Sequence, residues 1–349
     1  MSCPFLRQEP VAEGARIIRR AFRINRVLRD RQDPLAQHDN LLIERYRFSR
    51  EGVIYIVNLL EPHVKCSTRR SRALTTAQTV CIALYKSAVC RAIRKVYLAL
   101  KQFLGSFVIF PSHLRPQAVK QNFFAIAAFP NVIGAIDCTH VPIKAPPGPN
   151  EGDFVNRKGF HSVNVQMVCD SMFHITNVEA KWPGSVHDSR IFRESHLCTL
   201  FERAQQYFMT PFPDPNPGPQ TRFNTALART RARIEMTFGQ LKGRFQCLKG
   251  LRVAPDRACD IIVACAILHN IATIRKERTP VVEVQPDDDL QPVHLDQPSG
   301  RAARDRIGCP PQWVGSHLTQ GPALLQGYNV GVQDHHLFFS SQPFSWLLL

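Results

Sequence analysis

The chain has 349 residues, of which 44% are hydrophobic, and its formal net charge at pH 7 is +16. That length allows one or two domains with a well-buried core. No uninterrupted apolar run is long enough to span a membrane, and the N-terminus has no apolar signal segment, so we expect a protein of the nucleus and cytoplasm. The positive surplus favours an anionic partner such as nucleic acid or an acidic membrane face, and we expect nucleic acid rather than the alternative of a merely basic soluble protein.

The cysteines predict a reducing environment rather than a disulfide framework. Eleven are scattered along the chain without a Cys-x-x-Cys pair, and none of the spacings is typical of a zinc site. Cys81, Cys169 and Cys265 stand among apolar residues, so we expect them to be buried as small hydrophobic side chains.

The first 125 residues have the periodicity of helices and carry many basic side chains. Helical spacing recurs over residues 11–31, from Ser49 to a stop at Pro62, and twice between Thr75 and Lys101. Two short helices, the second of them basic, are typical of a helix-turn-helix DNA reader, although an ordinary surface helix has the same pattern. The basic run at 67–72 is either a nuclear import signal or a solvated loop.

The sequence pattern changes at Phe129, after which apolar segments typical of strands alternate with residues typical of turns. We expect strands at 132–136, 162–169 and 174–180, and then helices from His187 to about Phe201, over 224–245 and over 258–273. Strands followed by helices predict a mixed α/β domain over residues 129–280. Residues 281–349 lose this pattern and are predicted to be a disordered or non-homologous tail.

Three carboxylates stand in ordered apolar surroundings, where an ionised group is costly unless it is paired or bound to a cation. Asp137 ends a strand, Asp188 lies where a strand passes into a helix, and Glu235 borders an apolar helical stripe. Converging carboxylates favour Mg²⁺ or Mn²⁺, which can activate water against a phosphodiester. Each also has a structural interpretation: Asp137 as a turn cap, Asp188 as a helix N-cap, and Glu235 as the partner of Arg231 or Lys242.

The residues around these carboxylates form five ordered blocks: NVIGAIDCTHVPIKAP (131–146), NRKGFHSVNVQMVCD (156–170), WPGSVHDSRIF (182–192), RARIEMTFGQLKGRFQCL (231–248) and ACAILHNIA (264–272). Together they resemble the PIF/Harbinger transposase superfamily over about residues 129–280, and more loosely over the helical N-terminal region. Several ordered blocks are far more specific than any one motif.

The resemblance implies a ribonuclease H-like DDE core, a mixed sheet flanked by helices, preceded by an all-α DNA-binding region. On the matching positions, Asp137 and Glu235 would be catalytic, and both would bind a divalent cation, Mg²⁺ or Mn²⁺, together with Asp188. It also implies a helical DNA-binding protein partner that aids nuclear import. The basic residues expected to contact DNA are Arg91, Arg94, Lys95, Lys242 and Arg244.

The match fails at one catalytic position. The family carries a strand that ends in the second catalytic Asp, but residues 201–210 of this chain read FERAQQYFMT, with neither such a strand nor such an Asp. The sequence therefore predicts a transposase-derived, metal-dependent nuclease whose cleavage of DNA is impaired. The alternative is a non-catalytic DNA-binding or adaptor protein on the same scaffold, whereas RNA binding is disfavoured because no aromatic stacking motif accompanies the charge.

Overall fold

The computed structural model describes residues 33–64, 73–85, 91–111, 116–199, 208–278 and 345–348. The helix expected at 11–31 and the basic run at 67–72 lie outside these residues. Asp33–Gln37 belong to a separate unit, of which a 3₁₀ turn at Pro34–Ala36 is described. The described residues from His38 onward form one compact unit.

The N-terminal part of this unit is helical, as predicted. Its helices are α1 (Asp39–Tyr46), α2 (Arg50–Val64), α3 (Thr76–Tyr85), α4 (Arg91–Lys101), α5 (Leu104–Phe107) and α6 (Pro116–Ala127). Thr75 and Gln78 exchange hydrogen bonds of 3.1 and 3.2 Å between side chain and backbone, a capping box that begins α3 where the sequence places it. Pro62 does not end α2, which continues to Val64. Because Pro62 lies in the last turn of α2, its missing N–H removes only one helix hydrogen bond.

The sheet begins with an antiparallel meander of β1 (Gly134–Pro142), β2 (Ser162–Cys169) and β3 (Ile175–Pro183). The β1–β2 register runs without a shift from Ala135 opposite Cys169 to Pro142 opposite Ser162. Every residue of β2 is buried, including Ser162, Asn164 and Gln166, which alternate with apolar residues along the strand. The mixed α/β class and the presence of three central strands are confirmed, but β1 continues to Pro142 and does not end at Asp137 as predicted.

The other edge of β1 is paired by a strand from the end of the chain. Strand β5 (Ser345–Leu348) lies between β1 and β4 (Phe208–Met209), and the sheet order is β3-β2-β1-β5-β4. The tail that was predicted to be disordered or non-homologous thus contributes a strand, and residues 201–210 contain a two-residue strand without an acidic residue. The sheet was also expected to be mixed, but all pairs between named strands are antiparallel. An exposed edge of β1 would leave backbone groups unpaired, and β5 satisfies them.

Helices cover both faces of the sheet. Helices α8 (Pro219–Arg244) and α9 (Pro255–Ile274) follow β4 along the chain, and α8 packs against β1, β2 and β5. Helix α7 (Asp188–Arg193) packs against β2 on the other face. There Phe192 joins a buried cluster with Ile133, Ile136, Val168 and Leu197.

Helix α9 connects the helical region to the sheet. It packs against α4 and β3, so the packing of the unit crosses the domain boundary predicted near residue 125. By length and composition it could cross a membrane, but 72% of its most apolar window is buried inside the fold. Its Asn270 accepts a 2.8 Å bond from Ile175 N and donates to the carbonyls of Ile175 and Phe107. This amide satisfies the backbone at the start of β3 and at the end of α5.

His269, beside Asn270, is a buried neutral histidine. Its Nε2 lies 2.9 Å from the carbonyl oxygen of Phe173, and its side chain is almost fully enclosed. Burial is the largest influence on this imidazole and lowers its pKa to about 4. The folded protein therefore binds this proton less readily than the unfolded chain does.

The N-terminus of α2 is fixed by a carboxylate that follows α9. Both oxygens of Glu277 accept from Ser49, at 2.8 Å from its backbone N–H and 2.8 Å from its hydroxyl. Gly52, one turn into α2, leaves space for this carboxylate: a Cβ at residue 52 would collide with Glu277 Oε1 and approach a Phe48 ring carbon to 3.2 Å.

We expect Gly52→Ala to lower the free energy of unfolding by about 1–3 kcal/mol, because overpacking against the fixed Glu277 outweighs the helix preference for alanine. The matched control is Gly239→Ala in α8, where nothing lies within 4 Å of the added Cβ. The control should stabilise the protein by about 0.5–1 kcal/mol. Urea unfolding midpoints measure both, and a gain in both variants would contradict the docking of Glu277 on α2.

We also expect stability to fall by about 2–3 kcal/mol between pH 6.5 and pH 4 on account of His269. A histidine whose pKa is depressed in the folded state stabilises fully above its unfolded pKa, and this stability is lost as the pH falls toward the folded value. His269→Gln, which retains an N–H donor, should flatten the pH dependence of urea unfolding. His63→Gln, a change at an exposed histidine, is the control. Equal slopes for the two variants would contradict the assignment.

Candidate active site

Asp137 lies near the middle of the central strand β1. It is half-buried, stands opposite Met167 of β2 and Ser345 of β5, and its Oδ1 accepts a 2.8 Å hydrogen bond from the backbone N–H of Cys138. Its carboxylate is therefore held close to the strand and does not cap a following turn. Because β1 is paired on both edges here, its side chains alternate between the two helix-covered faces.

Asp137 shares the face of β1 that α8 covers. Two residues further along, the Thr139 hydroxyl accepts a 2.6 Å hydrogen bond from the Lys242 ammonium, which also lies 3.2 Å from the carbonyl oxygen of His140. Lys242 thus attaches the end of α8 to β1. On the same face of β2, the Cys169 thiol contacts Thr237 of α8.

Asp188 belongs to the opposite face. It is the first residue of α7, after the N-cap His187, and its Oδ1 accepts a 2.7 Å bond from the amide of Asn164. The Cys138 thiol is also hydrogen-bonded to Asp188, and Cys138 follows Asp137 directly in β1. Burial raises the pKa of this thiol, and the negative charges of Asp188 and then Asp137 add to the effect. The thiol is therefore a neutral hydrogen-bond donor and not a nucleophile.

Glu235 lies on the exposed side of α8. Its Oε1 is 2.8 Å from an Arg231 guanidinium nitrogen one turn earlier, and the two side chains are 42% and 27% exposed. The structural interpretation of Glu235 as the partner of Arg231 is thus confirmed. An exposed pair at this spacing is worth about 0.3–0.5 kcal/mol, so the carboxylate can be released at small cost.

The three carboxylates do not form a preassembled ligand set. Within the described ranges, no group of three or more His, Cys, Asp or Glu side chains could hold a metal ion. Strand geometry separates Asp188 from Asp137. Asp188 contacts Cys138, the residue after Asp137, and neighbouring side chains of a strand point to opposite faces. The described residues do not form the three-carboxylate cation site that was expected, because Asp188 lies on the opposite face, and the roles of Asp137 and Glu235 as catalytic residues and cation ligands stay predictions.

The basic residues expected to contact DNA fall into two groups. Arg244 is buried, only 5% exposed, and donates to the carbonyl oxygens of Arg47 and Arg278 at 2.7 and 3.1 Å. Burial lowers the pKa of its guanidinium to about 10. Because this side chain joins the end of α8 to the helical region, its prediction as a DNA contact is wrong. Its position on the apolar side of α8 was the available signal.

The other predicted DNA contacts stay predictions. Arg94 and Lys95 are exposed on α4, although the Lys95 ammonium donates a 2.9 Å bond to the Val64 carbonyl. The side chain of Arg91 lies outside the described part of the structure. Lys242 is half-buried at the active site, where it is a neighbour of Asp137 through Thr139.

Sequence reasoning did not find the polar side chains that surround Asp188. Asn164 is 1% exposed in β2, and its amide binds both Asp188 and the Val186 carbonyl at 2.7 and 3.1 Å. His140 is close enough to Asp188 for the carboxylate to favour its charged form, but burial dominates and lowers its pKa. The available signal was the polar residue at every second position of β2, Ser162, Asn164 and Gln166, since buried polar groups need hydrogen-bond partners.

Comparison with known proteins assigns the family. Residues 136–270 match the DDE superfamily endonuclease family. The chain is 34% identical over 272 residues to "Putative nuclease HARBI1" of Homo sapiens and to that of Bos taurus. Each alignment covers 67% of this chain and 78% of the relative. It is 27% identical over 193 residues to "Protein ALP1-like" of Arabidopsis thaliana, covering 46% of this chain and 48% of that protein. No solved structure matches. The chain therefore belongs to the Harbinger-type, transposase-derived proteins of the DDE endonuclease superfamily.

Proposed function

We propose that the chain is a DNA endonuclease of DDE type by descent, which binds DNA but cleaves it poorly. The observation that carries the proposal is the composition of the strands beyond β1. Neither β5, Ser345-Trp-Leu-Leu348, nor β4, Phe208-Met209, contains an acidic residue. Strand β5 occupies the position next to β1 in the sheet, but neither β5 nor β4 supplies a second catalytic carboxylate.

We also propose which residue ranges form the nuclease core, the DNA-binding region and the tail. We take residues 129–280 together with β5 as a ribonuclease H-like core, with residues 1–125 as its helical DNA-binding region and the rest of 281–349 as a tail. The antiparallel meander and the helix that carries Glu235 across β1 support this assignment. The antiparallel pairing of β5 with β1 is a departure from the mixed sheet that the resemblance implies.

Asp137 and Glu235 are the proposed ligands of a divalent cation, Mg²⁺ or Mn²⁺. Their hard oxygen donors suit such a cation, which when bound would supply Lewis-acid activation of the phosphodiester and of the attacking water. Two carboxylates, one of them paired with Arg231, bind it weakly. Asp188 is a poorer candidate because its side chain serves Asn164 and Cys138.

A non-catalytic DNA-binding or adaptor protein is the second candidate. It is favoured by the protein groups that occupy the carboxylates: Arg231 holds Glu235, and Asn164 holds Asp188. Under either candidate we propose DNA as the macromolecular partner, a helical DNA-binding protein as an import partner, and the nucleus and cytoplasm as the location. The charge of +16 supports the DNA partner.

We expect the full chain to nick supercoiled plasmid DNA only slowly in Mn²⁺, about a hundredfold or more below a nuclease with a complete carboxylate set. Asp137→Ala should abolish the remaining nicking and leave DNA binding unchanged. Agarose-gel nicking assays and fluorescence anisotropy measure the two properties. Rapid nicking that Asp137→Ala removes would disprove the impairment, and nicking that survives the substitution would disprove the role of Asp137.

We expect Arg231→Gln to strengthen Mn²⁺ binding several-fold, because it releases the Glu235 carboxylate and removes a cation that repels the metal. The free energy of unfolding should change by less than about 1 kcal/mol, since the ion pair is exposed. The readout is the rise in melting temperature with added Mn²⁺, which follows the affinity for the metal.

The control for this experiment is Arg229→Gln, which removes an exposed charge from the same helix. The gain should appear in Arg231→Gln, be absent from the control, and disappear when Asp137→Asn is added. A gain that persists without the Asp137 carboxylate would show that Glu235 and Asp137 do not share a cation.

A further inference from the structure

The turn that precedes β2, residues Asn156–Phe160, is built around one buried amide. Asn156 is 5% exposed, and its Oδ1 accepts from the backbone N–H groups of Lys158 and Phe160 at 2.9 and 3.3 Å. Its backbone N–H and carbonyl bond to Phe160 O and Gly159 N at 3.0 and 2.9 Å. Gly159 has φ +79°, which an L side chain would strain. The turn therefore has one conformation, fixed from inside.

The base of the turn is anchored to the active-site strands. The Asn156 amide donates a 3.1 Å bond to the Ser162 hydroxyl, which is also 3.1 Å from Nδ1 of His140 in β1. Gly184, after β3, packs so closely on this base that an added Cβ would approach the Ser162 carbonyl oxygen to 2.8 Å. These contacts place the turn at the end of β1 that also meets Lys242.

Arg157 and Lys158, at the tip of this fixed turn, are both exposed. Their positive charges act on His140, as does that of Lys242, and all three oppose its protonation. They therefore raise the electrostatic potential beside the carboxylate of Asp188, which acts on the same imidazole. A fixed turn that holds two cations beside a carboxylate site is suited to a polyanion that passes the site.

We propose that the turn at residues 156–160 is a phosphate clamp, in which Arg157 and Lys158 bind the backbone of DNA beside Asp188, at the end of β1. The inference rests on the proposed DNA-directed function and names the surface that positions the strand. Arginine presents several donors to a phosphate, lysine adds a point charge, and a preformed turn loses little conformational entropy when it binds. Contacts to phosphates fix the register of a protein on DNA without reading its sequence.

The test is the double variant Arg157→Gln/Lys158→Gln in the full chain, with binding to a fluorescein-labelled duplex measured by anisotropy in EDTA, where no cleavage occurs. We expect the affinity to fall by about tenfold and the slope of log K against log salt to become shallower by about 2, roughly one for each lost phosphate contact. The loss should be the same for duplexes of unrelated sequence.

The charge-matched control is Arg45→Gln/Lys276→Gln, which removes two exposed cations from the ends of α1 and α9. Unchanged binding in the control and weaker binding in the turn variant would support the clamp. Equal losses in both would reduce it to an effect of net charge, and no loss in the turn variant would disprove it. Because binding is measured without metal, a chain that never cleaves DNA still tests the clamp. Conversely, if Asp137→Ala removes nicking while the turn variant keeps full affinity, the clamp fails alone.

Discussion

The described site depends on the extended conformation of strand β1 at the centre of the sheet. Strand β2 pairs one edge from Ala135 to Pro142, and β5 pairs the other from Gly134 to Asp137. Successive side chains of such a strand alternate between two faces. Ala135, Asp137 and Thr139 face α8, whereas Ile136, Cys138 and His140 face α7. The contacts of Lys242 with Thr139 and of Asp188 with Cys138 follow from this alternation.

Alternation also explains why the carboxylates are separated. A cation shared by Asp137 and Asp188 would require a ligand from each face of one strand, and the Cys138–Asp188 contact shows that the second lies on the far side. Asp137 and Glu235 meet no such obstacle, since α8 covers the face of Asp137. Their chemistry is limited instead by Arg231 and by the lack of a carboxylate from the strands beyond β1.

Some basic side chains of the chain make structural contacts, and others are exposed at the surface. Arg244 and Lys242 connect α8 to the helical region and to β1, and Lys101 pairs with Asp260 of α9 at 2.7 Å. Arg244 is buried and adds to the net charge without being available to an anionic partner. Arg157 and Lys158, by contrast, are exposed on the amide-centred turn near Asp188. Net charge therefore indicates the kind of partner, whereas burial decides which cations reach it.

Local patterns in the sequence were enough to predict the central strands and the long helices α8 and α9, whereas the catalytic roles of Asp137 and Glu235 come from the resemblance and stay predictions. Period-two and helical spacing depend on neighbours along the chain, and so does the pairing of Arg231 with Glu235 one turn apart. The sequence could not predict which segment pairs the second edge of β1, because any chain with free backbone groups can do so. Nor could it predict the carbonyl groups that Arg244 binds or the opposite faces of Asp137 and Asp188. Those features are decided by contacts between residues far apart in the chain, and only the tertiary structure brings these residues together.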